Sequence, residues 1–492
     1  MKMLKKINHV VLGLVAVLTT GGCALGPDFP RVQEPLAKAF VPGTPVAETV
    51  SADGAGGAAQ RVVVKPDGIP DWWTLFRCAA LDKLVKEALD GSPTLEQARA
   101  RLVQAREAFN AQSGATTYPA VDLGLSAKRQ QVDAASQGLK GIDDPSPFNL
   151  YNASVSVSYR LDMFGRNRRI LEGLGADVDR RTFEWEAARE TVAANVVVAV
   201  IQQAALQMRY NGISNLLSVQ EGKLRIVEAQ YRSGGVSALE LENQRLQVSQ
   251  TRAALPPLEI QISRLNNQLA VYLGKPPAEA SLPTFDLDDL HLPEEIPISL
   301  PAELARRRPD IRAAEALWHK ASAGIGVATA DLYPQVTLSG SVGSQETSGS
   351  SILNSLNIWS LGGGLMQPVF RGGELRSKKR EAVAVYDEAA ALYRQTVLQG
   401  FQEVADALQA LDADARLLQT QSESVLHART AYEIASRQFD NGAISKLALL
   451  SAQGQLMQAE IDRITAQANR YADTSALFHS LGGSEWQGAG KK

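Results

Sequence analysis

The chain has 492 residues and a formal net charge of −3, so its charge gives nucleic acid no reason to bind. Aromatic residues make up 6 %, while Ala, Gln, Leu, Arg and Glu fill long stretches, which suits long helices better than one compact globule. Five scattered His residues, no HExxH, no phosphate-cradling Gly loop and no nucleophile elbow give no footing to an enzyme or a metal site.

The N-terminus reads MKMLKKINHVVLGLVAVLTTGGCALG. Lys2, Lys5 and Lys6 precede a short apolar run, Val10 to Leu18, and small residues then lead to Cys23. The run is too short to span a bilayer, so residues 1–22 read as an export signal. TTGGC resembles a bacterial lipoprotein signal, with Cys23 as the lipidated first residue, although Thr20 stands where such signals usually carry Leu. Ala24 in place of Asp after that Cys implies sorting to the outer membrane. The covalent lipid is the one non-protein group expected; no cofactor is. If Cys23 carries lipid, Cys78 has no disulfide partner within the chain.

Residues 23–70 are rich in Pro, Gly, Ala and Val and read as an extended segment. A first repeat follows at 71–273, opening on DWWTLF. A Pro-rich acidic linker at 274–301 cannot be a continuous helix. A second repeat covers 302–483, and 484–492 is a tail. The repeats match in order: QYRSGGVSALELENQR begins at 230 and QFDNGAISKLALLSAQ at 438, an offset of 208 residues. SPTLEQARARLVQAREAFNAQSGATTYPAVDLGLS (92–126) likewise resembles RPDIRAAEALWHKASAGIGVATADLYPQVTLSGS (308–341). One structural unit has been duplicated.

Each repeat holds two segments of period-2 alternation, near 119–127 and 151–164, then near 334–343 and 358–370. Tyr118, Phe164, Tyr333, Trp359 and Phe370 mark their ends as an aromatic girdle marks membrane strands. No proline lies between Pro147 and Pro256 or after Pro368. A single helix over 168–232 would run roughly 100 Å. Tyr210, Leu217, Leu224 and Tyr231 step by sevens, as do Leu418, Val425, Tyr432 and Phe439. The spacing predicts a coiled-coil seam on each outgoing helix. SGGVS (233–237) and NGAIS (441–445) supply Gly to reverse the chain and Ser to cap the helix that returns. Pro256-Pro257 should break the first returning helix.

Four strands cannot close a membrane barrel, for which about eight is the minimum, and open edges do not survive in lipid. The chain must therefore oligomerise, and three copies would give twelve strands and six hairpins. The expected fold class is a mixed α+β membrane protein: a long α-helical coiled-coil barrel plus four transmembrane β-strands per chain.

CALGPDF after the signal, DWWTLF with LDKLV, YRLDMFGR, RRPDIRAAE, FQEVADAL, both tips and the terminal LGG carry a family resemblance. Over essentially the whole mature chain, the sequence is similar to trimeric outer-membrane channel lipoproteins of bacterial tripartite efflux systems, the NodT-type members of the TolC-like superfamily. The resemblance implies a homotrimer with a 12-stranded barrel in the outer membrane and a helical tunnel across the periplasm. It implies a periplasmic adaptor and an inner-membrane transporter as partners, and passive export of drugs or other small molecules. It implies closure just past the second tip, at Leu447 as an apolar constriction and at Ser451, where an acidic residue often stands. Glu240 and Glu242, one turn past the first tip, would place six carboxylates together in a trimer and favour cations; read plainly, they are carboxylates at a helix start. Gly234, Gly235, Val236 and Ser237, with Gly442, Ala443, Ile444 and Ser445, are the expected adaptor contacts.

RNRR (166–169) and RSKKR (376–380) begin the two long helices, where cations are disfavoured. Lipid headgroups at the barrel's periplasmic rim would suit them, and a solvated charged face is the equal alternative. Two other readings exist: the exit duct of a protein secretion system, and a coiled-coil structural lipoprotein without a pore. The second leaves the alternating strands unexplained, while lipidation and the WW region favour the efflux branch.

Overall fold

The computed structural model describes residues 24–30, 39–42, 47–64, 70–131, 146–349 and 356–482. The signal, Cys23 and the tail at 484–492 lie outside these residues. The chain divides into two compact units. One holds the described residues before Arg31 with Leu102–Arg181 and Ala314–Tyr393; the other holds the rest, including Thr182–Ala313 and the chain from Arg394.

In chain order the elements are β1 (Arg61–Val64), a 3-10 turn (Trp72–Phe76), α1 (Ala79–Gly91), α2 (Pro93–Thr117), β2 (Ala120–Gln130) and β3 (Phe148–Leu161). Then come α3 (Arg166–Arg232), α4 (Ala238–Ala253), α5 (Leu255–Tyr272), a 3-10 turn at Leu287–Asp289, β4 (Glu295–Ile298) and α6 (Pro301–Arg307). The last are α7 (Pro309–Ala330), β5 (Gln335–Glu346), β6 (Ile358–Met366), α8 (Glu374–Asp440) and α9 (Lys446–Ser480).

The first unit contains an antiparallel sheet of order β2-β3-β5-β6, so β2 and β6 are its edges. β3 stops at Leu161 because Asp162 turns away to cap α3, its carboxylate accepting the N–H groups of Asn167 and Arg168 at 3.0 Å each. Gly165, at φ 77°, then makes the corner. β6 ends at Met366, four residues before the 370 that alternation suggested, because Pro368 has no N–H to offer a ladder. The N-terminal strap crosses this corner. Leu25 donates to the Phe164 carbonyl at 3.2 Å, and Gly26 passes so close to α7 that a Cβ there would lie 2.5 Å from the Gly326 Cα.

The second unit is built on a core of Trp72, Phe76, Leu81, Val197, Ile201, Leu269, Leu287 and Tyr471, with a smaller cluster of Ile296, Leu304, Leu411 and Leu477. β1 and β4 pair in parallel here, Arg61 opposite Glu295 and Val64 opposite Ile298. The sequence reading gave an extended segment and a Pro-rich linker here, and the pairing adds a short parallel ladder between them. A stretch of α3 is long and apolar enough to cross a membrane by composition alone, but 56 % of it is buried in the fold, as in a core helix.

Both outgoing helices run 67 residues without a break. The first return divides at Ala254 into α4 and α5, because Pro256 and Pro257 cannot donate within a continuing helix. The second return, α9, is one helix of 35 residues. In α8 the heptad residues Leu418 and Val425 are buried. In α3 the heptad residues Tyr210, Leu217 and Leu224 are half-buried and Tyr231 is exposed, while Leu216, Val219 and Val227 beside them are buried. Glycines make part of the contact with α9. Gly212 leaves room for Ile461 of α9 (2.8 Å from where its Cβ would be), and Gly222 faces Leu450. An apolar-periodicity search passes over glycine.

Candidate functional site

The register sorts the sheet into two chemically distinct faces. Val121 lies opposite Val157, Leu123 opposite Val155, Val155 opposite Val342 and Val342 opposite Trp359. On the other face Asp122 lies opposite Ser156, Ser156 opposite Ser341 and Ser341 opposite Ser360, the last pair sharing a hydroxyl hydrogen bond of 2.8 Å. The apolar face is uncovered: Leu125 is 72 % exposed, Trp359 79 % and Leu361 83 %. A water-facing sheet cannot sustain such a patch, which would drive aggregation. Phe164 and Tyr333 stack at 5.0 Å where the strands meet the helices, with Tyr118 and Phe370 exposed nearby in sequence.

The two tips are one turn built twice. Gly234 donates to Tyr231 at 3.0 Å and Gly235 to Gln230 at 2.7 Å; Gly442 donates to Phe439 and Ala443 to Gln438, both at 2.8 Å. Gly234 and Gly442 have φ of 75° and 72°, the left-handed position that ends a helix. Ser237 then accepts from the Glu240 N–H, and Ser445 from the Ala448 N–H, both at 3.2 Å. Gly235, Ser237, Ala443 and Ser445 are exposed, and Val236 and Ile444 half-buried. Lys446 lies over the Phe439 ring at 4.9 Å across the second tip, a contact the sequence reading missed.

Glu240 and Glu242 are exposed on the first turns of α4. Glu242 accepts from Arg245 at 2.9 Å, and Arg245 also reaches Glu228 on α3 at 3.5 Å. Glu240 has no side-chain partner among the described residues. Leu447 and Ser451 are half-buried one turn apart on the same face of α9. Within the chain, no hydrogen bond or ion pair among the described residues joins them to the two glutamates.

In the first basic cluster each arginine has an acidic partner within the chain, and Arg168 stays half exposed. Arg166 pairs with Asp331 at 2.6 Å and Arg168 with Asp162 at 3.6 Å. The buried Arg169 binds Glu172 at 2.7 Å, Asp28 at 2.8 Å and the Leu25 and Gly26 carbonyls. It thereby holds the strap, whose Phe29 stacks on His319 at 4.7 Å. In the second cluster Lys378 pairs with Glu374 at 2.6 Å, and Arg376 is exposed.

The motifs that carried the resemblance are architectural. Arg308 of RRPDIRAAE is buried and binds Asp310 and Glu403 of FQEVADAL, both at 2.7 Å, and the Ser480 carbonyl at 2.9 Å. Gly482 of LGG packs against the same side chain. Trp72 of DWWTLF donates to the buried Glu190 at 3.2 Å, and burial raises the pKa of that carboxyl.

A sheet with one lipid-compatible face and one hydroxyl face, in a chain that also builds the same helical hairpin twice, defines the class: a TolC-like outer-membrane channel protein. The solved outer-membrane channel OprN superposes with a TM-score of 0.79 at 28 % identity, over 94 % of this chain and 99 % of its own. The chain belongs to the outer membrane efflux protein family, whose model matches residues 84–275 and 300–483. It is 32 % identical to the pyoverdine export outer membrane protein OpmQ of Pseudomonas putida, over 90 % of this chain and 94 % of OpmQ. It is 30 % identical to the toluene efflux pump outer membrane protein TtgF of the same species, over 97 % of each. The protein is the outer-membrane exit duct of an efflux system.

Proposed function

We propose that three copies close a 12-stranded barrel in the outer membrane and continue it as a helical duct through the periplasm. The duct would receive small organic molecules from an inner-membrane transporter through a periplasmic adaptor. The observation that carries this reading is the exposed apolar face of a four-stranded sheet with two unpaired edges, β2 and β6. In hydrocarbon every ladder must close, and β6 of one copy pairing with β2 of the next closes it. Relatives that export pyoverdine and toluene support small organic cargo.

In this assembly the exposed tips at Gly234–Ser237 and Gly442–Ser445 meet the adaptor. Leu447 supplies the apolar constriction and Ser451 lies one turn behind it. Glu240 is the stronger candidate for a carboxylate ring, since Glu242 is already paired with Arg245. Lipid on Cys23 tethers the strap at the inner leaflet. Native mass and single-particle images of the detergent-extracted protein test the assembly. A hollow trimer is expected; a monomer or a solid dimer would overturn it.

A further inference from the structure

The hydroxyl face of the sheet carries almost no charge, and this makes its exceptions informative. Register places only Asp122, Lys128 and Arg160 on that face among the described strand residues; the other positions are Ser, Thr, Gly, amide or apolar. Arg160 stands at the helix end of β3, opposite Thr337 of β5. It is exposed and has no ion pair among the described residues.

The acids near that end are already committed. Asp162 caps α3 and pairs with Arg168, and Asp331 pairs with Arg166. Asp122 lies opposite Ser156, four residues along β3 from Arg160, a separation of roughly 13 Å at strand rise. That exceeds the screening length of about 8 Å in physiological salt. The Arg160 charge is therefore uncompensated locally, on a face otherwise lined by small neutral groups.

We infer that Arg160 sets the charge preference of the barrel's inner mouth: three copies form a basic ring there, favouring anions over cations at that point of the pathway. The inference rests on the trimeric-barrel reading above, which turns the hydroxyl face into the bore. A guanidinium stays charged at any working pH and grips carboxylate, sulfonate or phosphate with two parallel hydrogen bonds. Low-dielectric walls focus its field into the water between them.

The test reads local potential, so it does not depend on the state of a gate elsewhere. Ser339→Cys puts a thiol on the same face, diagonal to Arg160 across the β3–β5 pair at roughly 7–8 Å and so inside the screening length, and Cys78 is buried away from reagent. Intact cells are treated with an anionic (sulfonatoethyl) or a cationic (trimethylammonioethyl) methanethiosulfonate, and the peptide carrying the new Cys is followed by mass spectrometry. The anionic reagent should react relatively faster. Arg160→Gln should lower the anion-to-cation rate ratio about tenfold, the low end of electrostatic focusing, and Arg160→Lys should restore it. Thr337→Glu, which leaves Arg160 in place beside a new carboxylate, should lower the ratio in the same direction. A ratio that neither Arg160→Gln nor Thr337→Glu moves overturns the basic ring while leaving the barrel standing. A thiol that neither reagent reaches puts the hydroxyl face out of water, and the barrel and the ring fall together.

Discussion

Arg470 is fully buried, yet it holds the chain's own backbone and no acid: the Gly56 and Ala58 carbonyls at 3.0 and 2.8 Å, and the Thr49 hydroxyl at 3.1 Å. Its neighbour Asp414 is consequently left with little compensation. Burial, reinforced by a hydrogen bond with the Asp473 carboxyl and by its charge, pushes Asp414 up to about 7, against a weaker downward pull from Arg470. A carboxyl raised by folding stabilises the fold while it keeps its proton. That contribution is complete below the ordinary value of 3.8 and is lost as pH climbs to about 7. Asp414→Asn should therefore raise the Tm at about pH 8 and leave it nearly unchanged at about pH 4. If the variant and the parent lose stability in parallel over that range, Asp414 is not the group responsible. Nothing in the sequence marks this cluster, because Asp414 and Arg470 sit on different helices and the segment 49–58 that occupies Arg470 lies more than 400 residues away.

The hairpin tips, by contrast, are legible in the sequence alone. Gly, Ser and the 208-residue offset predict the same turn twice, and the hydrogen bonds repeat at that offset within 0.3 Å. Gly442 needs its left-handed φ, and nothing lies within 4 Å of the side chain it lacks. Gly442→Ala thus adds backbone strain with no clash, about 1 kcal/mol. This should speed hydrogen exchange at the Ala443 amide about fivefold, while Gly442→Asn, which tolerates that conformation, does less. Equal exchange in all three would mean the turn does not limit opening of the tip. Strands β2, β3, β5 and β6 were legible because alternation survives wherever one face meets lipid and the other meets water. β1 and β4 were not: each has four residues, Pro297 interrupts the second, and the partners are separated by 234 positions. On α3 part of the contact with α9 is made at Gly212 and Gly222, which apolar periodicity does not mark.

For the whole molecule the governing quantity is how far the duct can be closed by so few residues. Leu447 is half-buried in one copy, and the trimer would bring three such side chains toward one axis. Leu447→Gly should raise resting conductance in planar bilayers and make cells more sensitive to antibiotics. Unchanged conductance would remove Leu447 from the gate. The paired Glu242 and free Glu240 divide what the sequence treated as equivalent, so Glu240→Gln should alter cation preference at that end more than Glu242→Gln does.

The segment at residues 49–58 is bound to Arg470 across separations of 412 to 421 residues. An exported chain emerges N-terminus first, so this stretch must wait for nearly the entire polypeptide before its partner arrives. Contacts of such long range also form slowly, because loop closure comes before any gain from them. A truncated or stalled chain therefore lacks the residue that fastens its beginning to its end. Only a chain that extends past residue 470 can make these contacts.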